Sequence, residues 1–200
     1  MAGTFPTTNF KSINWQSNNN IISSETLTNK VFTKDLGGHF WSFTLQSVPL
    51  SRDDFGSINA FITTQRGSFD TFTVVPPVIG SSNGTFVNDG TKLPVTTSAA
   101  IGDSTIAVTP TGSGTLKAGD IIKFSNHDKV YMLTAAVTLA DSVANTIDIF
   151  PNLLTALPSS GENVISDNVP VKVRLANETQ EFKLGIDNLY QYELDVAEKV

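Results

Sequence analysis

The 200-residue chain contains no cysteine and has few charged residues. Without cysteine it has no disulfides, no thiolate metal site and no cysteine nucleophile. Charged residues make up 16% of the chain, against roughly 25% in ordinary soluble proteins. The charge that is present leans acidic, with a net charge of −6. This balance argues against a broad phosphate-binding face.

Long apolar runs are also absent, since none approaches the ~20 residues that span a bilayer. The first residues, Met1 to Pro6, show neither the basic segment nor the apolar stretch of a secretory signal. We therefore expect a chain that folds in the reducing cytoplasm of its host and has no membrane partner.

Threonine, serine, asparagine and glycine fill the place of the missing charges, and they favour strands and turns. Trp41, Phe43 and Leu45 alternate with polar residues, which predicts a half-buried strand over 39–48. Short strand patterns recur from residue 105 to the C-terminus. The sequence therefore predicts a mainly β fold with about ten strands.

One helix is predicted, over Arg52 to Gln65. Ser51 precedes it as an N-cap, Asp54 completes a capping-box-like pair, and Gly67 follows as a C-cap. A single stripe of the helix carries the apolar residues Phe55, Ile58, Phe61 and Ile62.

Two low-complexity stretches, 76–95 and 156–168, bracket a β-rich segment. They predict a discontinuous small β-sandwich domain, 1–87 and 168–200, that carries the helix 52–65. A second β-barrel domain of OB-fold type, 88–167, is inserted into it. Residues 1–30 are expected to form an irregular arm with one short strand.

Candidate catalytic residues are few. His39 and His127 have no metal-ligand spacing around them, although Asp128 could share a site with His127. A Gly-x-Ser-x-Gly elbow is missing, and helix capping accounts for the acidic pair Asp53-Asp54. The glycine-rich run 112–119 lacks the Gly-Lys-Ser/Thr ending of a phosphate loop. We therefore predict no catalytic, metal-binding or cofactor-binding residues, and no enzyme.

The aromatic residues have two interpretations, a sugar-stacking platform or an ordinary core. The apolar spacing assigns Trp15 and Tyr131 to a core face less clearly than the other aromatic residues, and they are the candidates for an exposed contact. Core-facing positions are expected for Trp41, Phe43, Phe55, Phe61, Phe69 and Phe72.

Two segments carry a family resemblance. Gly114-Thr-Leu-Lys-Ala-Gly-Asp-Ile-Ile-Lys-Phe124 with His127-Asp-Lys-Val-Tyr-Met-Leu-Thr134 resembles a β-module of tailed-bacteriophage virion proteins. The helix 52–65 with Gly67 and the Phe69-Asp-Thr-Phe72 segment is similar to the N-terminal domain of siphophage distal tail proteins.

The resemblance implies a structural virion protein of the tail, without catalysis. It implies a hexameric ring that joins the tail tube protein to the hub or baseplate proteins, with DNA passing through the lumen without specific binding. A closed ring of this kind needs two different patches per subunit that meet head to tail. The acidic balance of the chain suits such a lumen, because a basic one would bind phosphate.

Alternative functions stay open at this point. The chain could be a carbohydrate- or receptor-binding module of the tail tip, or another tail or capsid component. A small β-fold hydrolase would need His39 or His127 within roughly 3 Å of a carboxylate.

Overall fold

The computed structural model describes residues 3–6, 10–88, 90–185 and 187–199. The predicted fold class is confirmed: the described chain is mainly β and contains several sheets and one α-helix. The helix is α1 (Arg52–Thr64). The strands are β1 (Phe10–Asn18), β2 (Ile21–Glu25), β3 (Val31–Asp35), β4 (Phe40–Ser47), β5 (Phe72–Val74), β6 (Thr105–Val108), β7 (Gly114–Leu116), β8 (Ile121–Phe124), β9 (Val130–Leu133), β10 (Val137–Leu139), β11 (Asn145–Phe150), β12 (Val164–Ile165), β13 (Val171–Leu175), β14 (Phe182–Leu184) and β15 (Tyr190–Glu198).

The described chain divides into two compact units. The first unit comprises Pro6–Thr71 and Val173–Lys199, and the second comprises Gly3–Phe5 and Phe72–Lys172. The predicted domain limits, 87/88 and 167/168, stay a prediction. Among the described residues, no helix has the length and apolar character that crossing a bilayer requires.

The first unit is built on an antiparallel sheet in which β1, β4, β15 and β13 are neighbours in that order, while β14 also pairs with β15. The alternation predicted for β4 is confirmed, because Trp41, Phe43 and Leu45 are all buried. Leu194 and Val196 of β15 are buried beside them. The side chains of two neighbouring strands thus form one apolar face.

The helix of the first unit begins where the capping residues predict. The Ser51 hydroxyl accepts a hydrogen bond from the Asp54 N–H at 3.2 Å and donates one to the Asp54 carboxylate at 2.7 Å. The helix ends at Thr64, and Gln65 is its C-cap in place of the predicted Gly67. Gly67 instead takes a left-handed φ of 65°. Phe55, Ile58 and Ile62 are buried as expected, whereas Phe61 is only half-buried.

The expectation for Phe69 is wrong. Its ring is 74% exposed, and β5 begins three residues later, at Phe72. Arg66, with a left-handed φ of 55°, directs the chain into a tight turn before that strand. Its guanidinium bonds the Asp70 carboxylate at 2.8 Å and lies 4.4 Å from the centre of the Phe69 ring. The turn therefore holds Phe69 under a cation at the surface.

The second unit contains a five-stranded antiparallel sheet in the order β12, β8, β9, β11, β6, and a separate pair of β10 with β7. Both pack around one apolar cluster. Its members are Phe86, Leu93, Val95, Ala99, Ile106, Val108, Leu116, Ile122, Phe124, Tyr131, Leu133, Leu139, Ile147, Ile149, Leu153, Leu157 and Val164.

Asp120 holds the turn of the Gly-Thr-Leu-Lys-Ala-Gly-Asp segment in the second unit. Its buried carboxylate accepts hydrogen bonds from the Ser82 hydroxyl at 2.7 Å, the Asn83 N–H at 2.9 Å and the Lys117 N–H at 3.0 Å. It thereby fixes both its own turn and the segment that crosses β7. The crossing is close: a β-carbon on Gly114 would lie 2.8 Å from the Phe86 Cα.

Candidate interaction surfaces

The most exposed apolar part of the first unit is a two-stranded hairpin. β1 and β4 pair as far as Asn18 with Phe40, and the chain then continues as the separate antiparallel pair β2 with β3. We call residues 20–36 the arm. Every residue of β2 and β3 is exposed, on both faces of the pair. Such an isolated hairpin has no core of its own.

Apolar side chains are concentrated on this arm. The Phe32 ring is 53% exposed. The other large apolar residues exposed on the arm are Ile21, Ile22, Leu27, Val31 and Leu36. Single exposed apolar residues are ordinary, but six on one short hairpin mark an interaction surface. The prediction that residues 1–30 form an irregular arm with one short strand is therefore wrong, because two strands, β1 and β2, lie within them.

Two glycines lie at the base of the arm. Gly37 and Gly38 have φ values of 71° and 81°, which side-chain-bearing residues rarely adopt. The Asp35 carboxylate accepts a hydrogen bond from the Gly37 N–H at 2.8 Å. The backbone thus turns between β3 and β4 in a conformation that glycine supplies.

A polar cleft lies at the other end of the β1–β4 pair. Its volume is about 450 Å³. The residues of β1 and β4 that line it are Lys11, Gln46 and Ser47, whereas the arm leaves the pair beyond Asn18 and Phe40. The charged residues that line it are Lys11, Glu181, Lys183, Glu193 and Asp195.

Hydrogen bonds hold the floor of the cleft in place. The Asp195 carboxylate accepts from the Thr44 hydroxyl at 2.6 Å and from the Asn177 side-chain amide at 3.1 Å. Glu181, Lys183 and Glu193 are exposed at its rim. Three carboxylates face the two ammonium groups of Lys11 and Lys183, so the cleft has a net charge of −1 and its rim carboxylates are open to a cation from outside the subunit.

Tyr131 is not an exposed contact, and that expectation is wrong: its side chain is 0% exposed. Its hydroxyl lies 2.9 Å from the His127 Nε2 and accepts a hydrogen bond from the Leu154 N–H at 3.2 Å. The polar end of the ring is thus satisfied inside the unit, which permits full burial.

Trp15 is half-buried on the edge strand β1. Its ring stacks on Phe43 with centroids 4.8 Å apart and lies 5.5 Å from the Trp41 ring. Its Nε1 is buried and has no hydrogen-bond partner among the described residues. A role for Trp15 in an external contact stays a prediction.

The two histidines occupy polar niches. The His39 ring is buried, lies edge-on to Trp41 and has its Nε2 2.9 Å from the Ser17 hydroxyl. The His127 Nδ1 lies 2.5 Å from the Asn126 side-chain oxygen. Because the Asn126 side-chain oxygen can only accept, neutral His127 carries its proton on Nδ1, and its Nε2 accepts the hydrogen bond that the Tyr131 hydroxyl donates.

Burial, followed by the charge of Lys123, lowers the pKa of His127 below its ordinary value. The neighbouring Asp128 carboxylate bonds Lys172 at 2.7 Å and Lys123 at 3.0 Å. Burial raises the pKa of Asp128, but these two hydrogen bonds outweigh it and the pKa is lowered. In the described ranges, no group of three or more His, Asp or Glu side chains could hold a metal ion.

Comparison with known proteins finds a resemblance to a bacteriophage tail protein. Residues 78–169 match the family model described as distal tail protein pb9, B domain. The distal tail protein pb9 of Escherichia phage T5 is 25% identical over 175 residues, which cover 86% of this chain and 82% of that protein. The resemblance to distal tail proteins is therefore confirmed, and this homology supports a structural role in the phage tail.

The arm and the cleft are the surfaces that sequence reasoning missed. The signal for the arm was two short runs, Ile21–Glu25 and Val31–Asp35, separated by a turn at Asn29, which has a left-handed φ of 59°. Neither run alternates, because neither face is buried. The cleft joins residues from both ends of the chain, so no local pattern could indicate it.

Proposed function

We propose that this protein forms a hexameric ring in the virion tail and joins the tail tube protein to the hub or baseplate proteins. Its homology to a distal tail protein over most of the chain supports this function. The main structural support for assembly is the arm, because six exposed apolar side chains on an isolated hairpin need a partner surface that covers them.

The first unit offers two different patches to its neighbours. β1 has β4 as its only paired neighbour among the described strands, so it is an edge strand of the sheet. Open strand edges and projecting hairpins join copies of a chain by contacts between unlike patches. Contacts of that kind close into rings when the rotation between subunits allows it.

The second unit is, in this proposal, an OB-type barrel displayed on the ring. The lumen carries DNA without binding it specifically, and the low density of basic residues supports such passage. The subunit works as a joint without catalysis, after folding in the host cytoplasm.

The mass of the purified full-length chain tests this proposal. We expect light scattering across a concentration series to show a species near six times 21.5 kDa, and negative-stain images of it to show a central hole. Ile22→Ser/Phe32→Ser on the arm should shift the series towards monomer. The matched variant Ile101→Ser/Val143→Ser, which changes exposed apolar residues of the second unit, should not.

A wild-type chain that stays monomeric at every concentration, including in the presence of its tube and hub proteins, contradicts the ring. Equal effects of the two double variants contradict the part given to the arm.

A further inference from the structure

The two faces of the arm carry opposite charges. In an antiparallel pair, residues directly opposite each other point to the same face. Ile21 pairs with Asp35 and Glu25 pairs with Val31, so both carboxylates of the arm lie on one face.

The other face is basic and apolar. Ile22 pairs with Lys34, and Phe32 lies two residues before Lys34 on the same strand and face. The Lys30 Nζ lies 5.0 Å from the centre of the Phe32 ring, which places Lys30 on this face too. An ammonium group next to an apolar cluster is suited to an acidic, partly enclosed partner surface.

The arm cannot reach the cleft of its own subunit. Along β1 the cleft residue Lys11 and the last strand residue Asn18 are seven positions apart, which is about 24 Å of strand. The arm continues beyond Asn18 as five further paired positions, about 17 Å long. The arm and the cleft therefore lie at opposite ends of the same pair of strands.

From this geometry we infer that the Lys30, Lys34 and Phe32 face of the arm docks into the Glu181, Glu193 and Asp195 cleft of a second copy of this chain. The inference rests on the proposed function, because it names the surfaces through which copies meet. One end of a subunit then contacts the opposite end of the next, which is the head-to-tail relation that rings require. The acidic Glu25 and Asp35 face stays directed away from the carboxylates of the cleft.

Reciprocal charge reversal tests the docking. Lys30→Glu/Lys34→Glu is expected to weaken self-association at least about tenfold, because it places like charges together. Glu181→Lys/Glu193→Lys is expected to do the same. The chain with all four changes is expected to return to within about threefold of wild type. The matched control Lys92→Glu/Lys117→Glu changes the net charge equally at exposed lysines of the second unit and should leave association unchanged.

Sedimentation of the full chain gives the association constants, and circular dichroism checks that each variant is folded. A zero-length carbodiimide cross-linker on mixed light and heavy-isotope chains gives a second readout. We expect links between Lys30 or Lys34 of one copy and Glu181, Glu193 or Asp195 of another.

The outcomes separate this inference from the proposed function. A ring that forms in all variants, or whose cross-links involve other residues, overturns the docking and leaves the ring intact. Loss of association without rescue in the fourfold variant also overturns the docking. Arm-to-cleft links in open chains or dimers, without a ring, support the docking and overturn the hexameric joint. A wild-type chain that never associates overturns both.

Discussion

Replacing Asp120 with alanine is the sharpest test of how the second unit is held together. The carboxylate is 5% exposed and accepts hydrogen bonds from the Ser82 hydroxyl and from the Asn83 and Lys117 N–H groups. Each donor left unpaired costs about 1–3 kcal/mol. These donors are partly exposed and water can reach them, so we use the lower limit and expect a loss of roughly 3 kcal/mol.

The assay is urea unfolding followed by far-ultraviolet circular dichroism. Both tryptophans, Trp15 and Trp41, lie in the first unit, so tryptophan fluorescence does not report on this loss. With an ordinary denaturant slope, roughly 3 kcal/mol lowers the midpoint by about 2 M. Asp103→Ala is the control, because Asp103 is exposed and its carboxylate accepts a single hydrogen bond, from the Ala100 N–H.

Asp120→Asn should fall between the two variants, since it keeps one acceptor oxygen. If Asp120→Ala unfolds at the same urea concentration as Asp103→Ala, the carboxylate does not organise the turn, and the explanation given for the glycine-rich segment is wrong.

Three further predictions concern stability. Phe55→Ala should destabilise the first unit by about 3–5 kcal/mol, measured by tryptophan fluorescence in urea, because its ring is buried among other aromatics. Phe69→Ala, at an exposed ring, should change stability by less than about 0.5 kcal/mol. Equal losses of stability in Phe55→Ala and Phe69→Ala would contradict the difference in burial between the two rings. Burial lowers the pKa of His127, so its contribution to stability is present above the unfolded value of about 6.5 and is lost as pH falls below it. The melting temperature should therefore drop more between pH 7.5 and pH 5 for wild type than for His127→Asn. An equal drop in the two proteins would refute this. Gly84→Ala should destabilise by about 1–3 kcal/mol, because a β-carbon there overlaps a backbone carbonyl of β7, whereas Gly56→Ala in the open helix should be neutral or stabilising by calorimetry.

Local sequence patterns predicted the strands and the helix that have one buried face and one exposed face. β4 alternates because one face lies on the core, and α1 follows its capping residues and apolar stripe. β13 is one of the strand patterns noted after residue 105, and its burial alternates in the same way. Each of these signals depends on residues within a few positions of each other, so a single sequence contains it.

Contacts between distant residues could not be predicted in the same way. The Leu154 N–H, far along the chain, donates to the Tyr131 hydroxyl and so permits the burial of that ring, and no spacing indicates that bond. Phe69 was expected in the core, but a turn that begins at the left-handed residue Arg66 places its ring at the surface. The cleft combines both ends of the chain.

The charges on the arm have a consequence for the newly made subunit. A freshly synthesised chain carries the exposed apolar strands β2 and β3 into a crowded solution before any partner covers them. Apolar hairpins whose outer edges have no neighbouring strand can start aggregates, and charged side chains on them act as gatekeepers. Glu25, Asp35, Lys30 and Lys34 occupy that position on the arm. Substitutions that made the arm more adhesive by removing these charges would therefore lower the yield of soluble subunits.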